Sequence, residues 1–183
     1  MIAAMPLTTY YTATTLDGFI ADTNHSLDWL FERRQDRDGP LSYDAFIAGV
    51  GALAMGATTY EWILDHEQGK WPYELPCWVF THRDLPVVHE RIELTRDDVA
   101  DVHVRMREAA GEQDIWIVGG GDLAGQFADR GLLDEVIVYI APVTLGAGAP
   151  LLPRRITSSR VTLREARQVG QAIRIVYDVA RPA

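Results

Sequence analysis

Residues 115–124 read IWIVGGGDLA, a short apolar run that passes through three glycines into a segment of helical character. Glycine lets the backbone approach an anion closely, and the first N–H groups of a helix offer donors with a favourable dipole. The stretch therefore predicts a buried strand, an anion-binding turn and a helix. The residues expected to contact the anion are Gly119, Gly120, Gly121, Asp122 and Leu123. Such turns also occur in α/β folds without a ligand, so the motif alone leaves both interpretations open.

The same glycines satisfy a relaxed dinucleotide-binding fingerprint, with Gly119, Gly121 and Ala124 at its three positions. That fingerprint opens the first strand–helix–strand unit of its fold, and an acidic residue about 20 positions later ends the second strand. Here the motif comes late in the chain, and Asp134 and Glu135 precede the next predicted strand instead of ending it. The context therefore argues against a Rossmann domain.

Strand-like and helix-like segments alternate on both sides of this stretch. Apolar or β-branched runs predict strands at Leu7–Ala13, Ala52–Gly56, Cys77–Thr81, Ile115–Val118 and Glu135–Val143. Helical spacing predicts helices at Leu27–Arg34, at Leu41–Gly49, from Thr59 onward, at Thr95–Gly111 and at Asp122–Arg130. The runs Val161–Val169 and Ala172–Val179 predict a hairpin. We therefore expect one domain over residues 1–183, a three-layer α/β sandwich whose mainly parallel central sheet ends in an antiparallel C-terminal hairpin.

Composition excludes several classes of function. The 183 residues carry 17 Lys and Arg against 26 Asp and Glu, and the net charge of -9 disfavours nucleic acid and anionic membrane surfaces as partners. Cys77 is the single cysteine, and the five histidines lack zinc-binding spacing, so we expect neither a disulfide framework nor a metal site. The N-terminus does not resemble a signal peptide, which makes the cytoplasm the expected compartment.

A second glycine stands where a predicted strand meets a predicted helix. Gly56 is followed by Thr58 and Thr59, whose hydroxyl groups could bind a second phosphate at the start of the helix. Helix capping is the competing interpretation, because Thr58 and Glu61 have the spacing of a capping box.

A third polar group, Thr81, His82 and Arg83, follows the next predicted strand. A hydroxyl, an imidazole and a guanidinium group there could hold a ribose 2′-phosphate, although an ordinary solvated turn explains the same residues. Ligands of open α/β sheets collect at the carboxyl ends of the strands. The three junctions together therefore predict an extended, diphosphate-bearing cofactor.

Four motifs follow one another along the chain: ATTLDGFIAD at residues 13–22, MGATTY at 55–60, VGGG at 118–121 and APVTLGAG at 141–148. In order and spacing they resemble the RibD C-terminal reductase domain family, which shares the dihydrofolate reductase fold. The resemblance covers nearly the whole chain. It implies a dihydrofolate-reductase-like fold, NADPH as the cofactor and a homodimer as the assembly.

The resemblance also assigns expected roles to individual residues. The residues expected to bind the cofactor are Ala13 and Ile20 at the nicotinamide half, Gly56, Thr58 and Thr59 at the phosphates, Thr81, His82 and Arg83 at the adenosine ribose and its phosphate, and Gly119–Leu123 at the pyrophosphate. Asp17 falls in the Asp-Gly motif near the substrate pocket, where Tyr139 is also expected. Apart from the resemblance, Asp28 and Trp29 could supply a carboxylate and a stacking ring to the substrate, although a helix-start aspartate and a core tryptophan explain the same residues. Ala57 stands where many relatives carry arginine, which removes one phosphate contact.

The expected function is hydride transfer from NADPH to a small pteridine- or pyrimidine-type heterocycle, or to the sugar carbon attached to one. The candidate proton donors are Asp17, Asp28 and Glu32, in that order. An alternative enzyme is the riboflavin-pathway reductase that acts on 5-amino-6-(5-phosphoribosylamino)uracil. An alternative of another class is a nucleotide-binding module without catalytic activity.

Overall fold

The computed structural model describes residues 5–32 and 41–182. Their elements, in chain order, are β1 (Thr8–Thr15), β2 (Phe19–Ala21), α1 (Asp28–Phe31), α2 (Tyr43–Ile47), β3 (Val50–Gly56), α3 (Ala57–His66), β4 (Cys77–Phe80), β5 (Ile92–Thr95), α4 (Val99–Ala110), β6 (Asp114–Gly119), α5 (Gly121–Asp129), β7 (Glu135–Ala141), β8 (Ala149–Pro150), β9 (Val161–Val169) and β10 (Ala172–Val179). Within these two stretches, no helix is long and apolar enough to cross a membrane.

An eight-stranded sheet runs through the molecule in the order β5-β4-β3-β6-β1-β7-β10-β9. All neighbouring pairs from β5 to β7 are parallel, so these strands end at one common edge. Strand β10 runs antiparallel to both β7 and β9. The predicted parallel sheet with an antiparallel C-terminal hairpin is therefore confirmed, and both hairpin strands have the predicted bounds.

Two hydrophobic cores cover the two faces of the sheet, because successive side chains of a strand point to opposite faces. Tyr10 and Ile117 pack with α4 and α5 on one face, whereas Leu53 and Trp116 pack with α3 on the other. The short helix α2 adds Phe46 to the second core. The result is the three-layer arrangement that the alternating pattern predicts.

The helix predicted at Thr95–Gly111 is wrong at its start. Ile92–Thr95 forms the edge strand β5, and α4 begins only after Asp98, whose carboxylate accepts a hydrogen bond from the Ala100 N–H at 2.9 Å. A polar cap thus separates a short strand from the helix, and Thr95, predicted as the first helical residue, is the last residue of the strand.

Two other predicted helices differ in length from the structure. The segment predicted at Leu41–Gly49 contains the shorter α2, whose N-cap Ser42 accepts a hydrogen bond from the Ala45 N–H at 3.2 Å. The helix predicted at Leu27–Arg34 corresponds to α1, and its last two predicted residues lie outside the described residues.

Candidate functional site

Two helices begin side by side at the carboxyl edge of the sheet. Strand β3 runs through Gly56 into α3, and the neighbouring strand β6 runs through Gly120 into α5. Neither N-cap supplies a side-chain hydrogen bond. The first N–H groups of a helix have no acceptor within it, so both helices present free donors at this edge. Adjacent strands are about 4.8 Å apart, which places the two sets of donors within reach of one diphosphate.

The glycines at the junction of β6 and α5 allow side chains of other elements to approach this edge. A Cβ atom built on Gly119 would lie 2.9 Å from Oγ1 of Thr59 in α3. A Cβ atom on Gly120 would lie 3.8 Å from Cδ1 of Ile20 in β2. The structure thus brings together Gly119, Gly120, Thr59 and Ile20, which the sequence analysis assigned to one cofactor from separate motifs.

The first turn of α5 offers a ligand mainly backbone N–H groups. Leu123 is buried in the core, so only its N–H group can face a ligand. The carboxylate of Asp122 accepts a hydrogen bond from Nε2 of Gln126 and pairs with Arg154, each at 2.9 Å. The Gln126 hydrogen bond and the Arg154 charge lower the pKa of Asp122. An anion at this helix start therefore meets a carboxylate whose charge Arg154 already offsets.

The segment after β8 holds α5 from the other side. The hydroxyl group of Tyr10 donates to the Leu151 carbonyl at 3.0 Å, and the Leu151 N–H donates to the Gly18 carbonyl at 2.9 Å. Gly121 is buried under this segment. This contact is not apparent from the sequence, because no local signal links residue 151 to a glycine 30 positions earlier.

The capping box proposed for Thr58 and Glu61 is wrong. Helix α3 begins at Ala57 behind Gly56, so Thr58 lies inside the first turn and forms no cap. The Glu61 carboxylate instead lies 2.8 Å from Nη1 of Arg83, at the end of β4. The Thr58 side chain is exposed at the same edge as the free helix donors.

A shallow depression of about 370 Å³ lies where β4 and β5 end. It is lined by Thr81, Arg83, Asp84, Glu93, Leu94, Thr95, Arg96 and Asp97. Oγ1 of Thr81 accepts a hydrogen bond from the Arg83 N–H at 2.9 Å, which fixes the turn, and His82 is exposed within it. Thr81 and Arg83 both line the depression, and Arg96 is a second arginine there that the sequence did not single out.

Asp17 is tied to a neighbouring loop. Its carboxylate accepts hydrogen bonds from Oγ1 of Thr15 at 2.6 Å, the Leu145 N–H at 3.1 Å and the Gly146 N–H at 2.7 Å. The Thr15 hydrogen bond and then the Gly146 amide lower the pKa of this exposed carboxyl group. These contacts favour an anchoring role over proton donation.

Replacing Asp17 by asparagine is expected to lower the melting temperature at neutral pH, because two loop amides lose a charged acceptor. The folded-state pKa is below its ordinary value of 3.8, so the stabilisation is complete above that pH and is lost as the pH falls through the lowered pKa. The difference in melting temperature between wild type and Asp17→Asn should therefore shrink below about pH 4. Glu74→Gln, an exposed charge change in a loop, serves as the control, and a pH-independent difference would contradict the assignment.

The other two candidate acids lie at the two ends of α1, with Asp28 as its first residue and Glu32 as its C-cap. Asp28 and Glu32 are exposed, while Trp29 is buried and its indole N–H has no partner among the described residues. Phe31 stacks on Trp62 of α3 at a ring-centroid distance of 6.1 Å, so α1 flanks the same helix whose start faces the glycines.

Tyr139 lies opposite Ala13 in the β1–β7 ladder, near the carboxyl edge. Its ring meets Tyr11 edge-on at 5.8 Å, and its hydroxyl group donates to the Leu41 carbonyl. Burial raises its pKa, so the phenol stays protonated at neutral pH. It can therefore line a pocket beside Ala13 as a neutral side chain.

Comparison with known proteins agrees with this arrangement. The model of the RibD C-terminal domain matches residues 6–175. The chain belongs to the RibD C-terminal domain family. The dihydrofolate-reductase-like fold implied by the four motifs is confirmed, since the solved relatives of this RibD C-terminal domain share it.

Individual relatives of this RibD C-terminal domain cover it to different extents. The protein is 31% identical to "Uncharacterized protein YwjB" of Bacillus subtilis, over 93% of this chain and 96% of that one. A putative riboflavin biosynthesis protein from Shewanella sp. PV-4 superposes with a TM-score of 0.81 and 26% identity, covering 96% of this chain and 99% of that one. The riboflavin biosynthesis protein RibD of Haemophilus influenzae is 35% identical over 56% of this chain, which corresponds to 30% of its own length.

Proposed function

We propose that the protein is an NADPH-dependent reductase of a pteridine- or pyrimidine-type heterocycle. The observation that carries the proposal is the pair of uncapped helix starts, α3 and α5, which lie next to each other at one edge of the sheet. Free helix N-termini beside glycines favour phosphate groups. Membership in the RibD C-terminal domain family supports an oxidoreductase.

The neighbouring residues fit the remaining parts of NADPH. Thr81 and Arg83 follow β4, one strand beyond β3, and offer a hydroxyl and a guanidinium group to a phosphorylated ribose. Ala13 and Ile20 lie on the opposite side of the glycines and offer apolar contact to a nicotinamide ring. Bound NADPH supplies the hydride, and the chain orients the ring and excludes water beside it.

The substrate would lie between β1 and α1. Trp29 offers an indole N–H without a partner among the described residues, and Tyr139 offers a neutral phenol beside Ala13. Asp28 and Glu32 remain the proposed proton donors because both are exposed at the ends of α1, whereas Asp17 already accepts hydrogen bonds from the 145–146 loop. We therefore rank Asp28 and Glu32 above Asp17.

Titration with NADPH and NADH tests the cofactor. We expect NADPH to bind and to raise the melting temperature, because a ligand that binds only the folded state stabilises it. Arg83→Ala should weaken NADPH binding by about ten-fold and NADH binding by less than about two-fold, since a charge-assisted phosphate contact is lost. Arg91→Ala is the matched control, because Arg91 precedes β5 and lies at the opposite edge of the sheet. Absence of binding by both nucleotides would overturn the reductase proposal.

A second candidate is the riboflavin-pathway reductase, which the family match and the similarity to H. influenzae RibD favour. NADPH oxidation in the presence of 5-amino-6-(5-phosphoribosylamino)uracil would support it over reduction of a pteridine. Binding of NADPH without oxidation by any heterocycle would instead support a non-catalytic nucleotide-binding module.

A further inference from the structure

Several carboxylate groups lie in or beside the depression in which we place the phosphorylated ribose. Asp84, Glu93 and Asp97 line it, and Glu61 reaches Arg83 from α3. A ribose 2′-phosphate carries about two negative charges at neutral pH, whereas the 2′-hydroxyl group of NADH carries none. The acidic surroundings therefore disfavour binding of the charged 2′-phosphate of NADPH and do not disfavour the uncharged 2′-hydroxyl group of NADH.

Three of these carboxylates already have other partners. Glu93 and Asp97 both pair with Arg105, each at 2.6 Å, and Asp84 pairs with Arg96 at 3.2 Å. Glu61 is the carboxylate that occupies the guanidinium group of Arg83, at 2.8 Å. Both side chains of this pair are about half exposed, with 53% of Arg83 and 41% of Glu61 accessible, so the pair is weak and can be exchanged.

We propose that Glu61 limits the preference of the site for NADPH over NADH by competing with the ribose 2′-phosphate for Arg83. This inference rests on the proposed function. NADPH must displace the Glu61 carboxylate from Arg83 and then remain close to it, whereas NADH leaves the pair intact. The carboxylate also suits a 2′-hydroxyl group, because an ionised carboxylate accepts hydrogen bonds from it. Glu61 thus reduces the ratio of NADPH to NADH affinity that Arg83 provides.

The test measures dissociation constants for NADPH and NADH in variants of the full chain. Glu61→Gln should tighten NADPH binding by about ten-fold, because it removes a charge near a dianion and frees Arg83. The dissociation constant for NADH should stay within about two-fold of the wild-type value or increase. Glu61→Ala gives a second variant, since glutamine can still accept a hydrogen bond from Arg83.

Glu67→Gln is the matched control, because it removes the same charge from the C-cap of the same helix. In the Arg83→Ala background, Glu61→Gln should tighten NADPH binding by less than about three-fold, since the competition is already gone. An equal effect of Glu67→Gln, or an undiminished effect without Arg83, would show a general charge effect and overturn the inference.

The outcomes separate this inference from the proposed function. Wild-type protein that binds neither nucleotide overturns both. Wild-type protein that binds NADPH, with an unchanged ratio of NADPH to NADH affinity in both Glu61 variants, overturns only the role of Glu61. Thermal unfolding of each variant without nucleotide verifies that the fold is intact.

Discussion

Gly121→Ala is expected to abolish measurable NADPH binding and to lower the free energy of unfolding by roughly 3 kcal/mol. A Cβ atom at Gly121 would lie 2.3 Å from the Leu151 carbonyl oxygen and 2.4 Å from that of Pro150. Both are backbone atoms, so the end of β8 and the residue that follows it must move away from α5. Helix propensity alone predicts the opposite sign, because alanine stabilises a helix relative to glycine by about 1 kcal/mol. Urea denaturation and NADPH titration measure the two effects.

Gly120→Ala is the control for this variant. A Cβ atom there meets only Cδ1 of Ile20, at the ordinary contact distance of 3.8 Å, so we expect a loss of less than about 1 kcal/mol. Gly125→Ala is intermediate, because its Cβ atom meets the flexible Arg154 side chain at 2.7 Å. If Gly121→Ala were as stable as wild type, the packing of the 150–151 segment on α5 would be contradicted.

Arg164→Met is expected to destabilise the protein by about 3 kcal/mol, because it leaves the carboxylate of Glu135 buried without a cation. Glu135 is 6% exposed and accepts a hydrogen bond from Oγ1 of Thr9 at 2.9 Å. Arg164 pairs with it from β9 and also pairs with Asp178 at 2.7 Å. Methionine keeps the apolar stem, so the measured change in unfolding free energy reports mainly the lost charge.

Arg105→Met provides the comparison, since Arg105 also bridges two carboxylates but on an exposed surface. We expect its cost to stay below about 1 kcal/mol. Adding Glu135→Leu to Arg164→Met should recover part of the stability, because the unpaired charge is removed. Equal costs for the two arginine variants, or no recovery in the double variant, would show that burial of Glu135 is unimportant.

The sequence predicted the order of most elements because their apolar patterns are strong. The hairpin strands β9 and β10 were bounded correctly, since Gly170 interrupts two continuous β-like runs and has a φ of 58°. Strand β5 was missed because it has four residues, of which Glu93 is exposed and only Ile92 and Leu94 are apolar. A short edge strand of this kind carries too little periodicity to be distinguished from a helix start.

The sequence predicts where the glycines of the candidate site lie, but it does not predict the partners of the charged side chains. Gly56 and Gly119 each mark a strand that turns into a helix, which is a local feature. The partners of Asp17 and Glu61 are 128 and 22 positions away, at Leu145 and Arg83, and no local pattern predicts them. Sequence reading therefore assigned Asp17 to catalysis and Glu61 to capping, whereas the structure shows long-range contacts for both.

The central position of β1 has a consequence for biosynthesis. Thr8 pairs with Ile115 and Thr9 pairs with Glu135, so the strand leaves the ribosome long before either neighbour exists. At typical bacterial or eukaryotic rates of translation, the delay is roughly 5 to 25 s. Throughout that interval the nascent chain exposes both unpaired edges of a strand whose residues are buried or half-buried in the folded protein. The yield of folded protein in cells should therefore depend on chaperones that bind nascent chains.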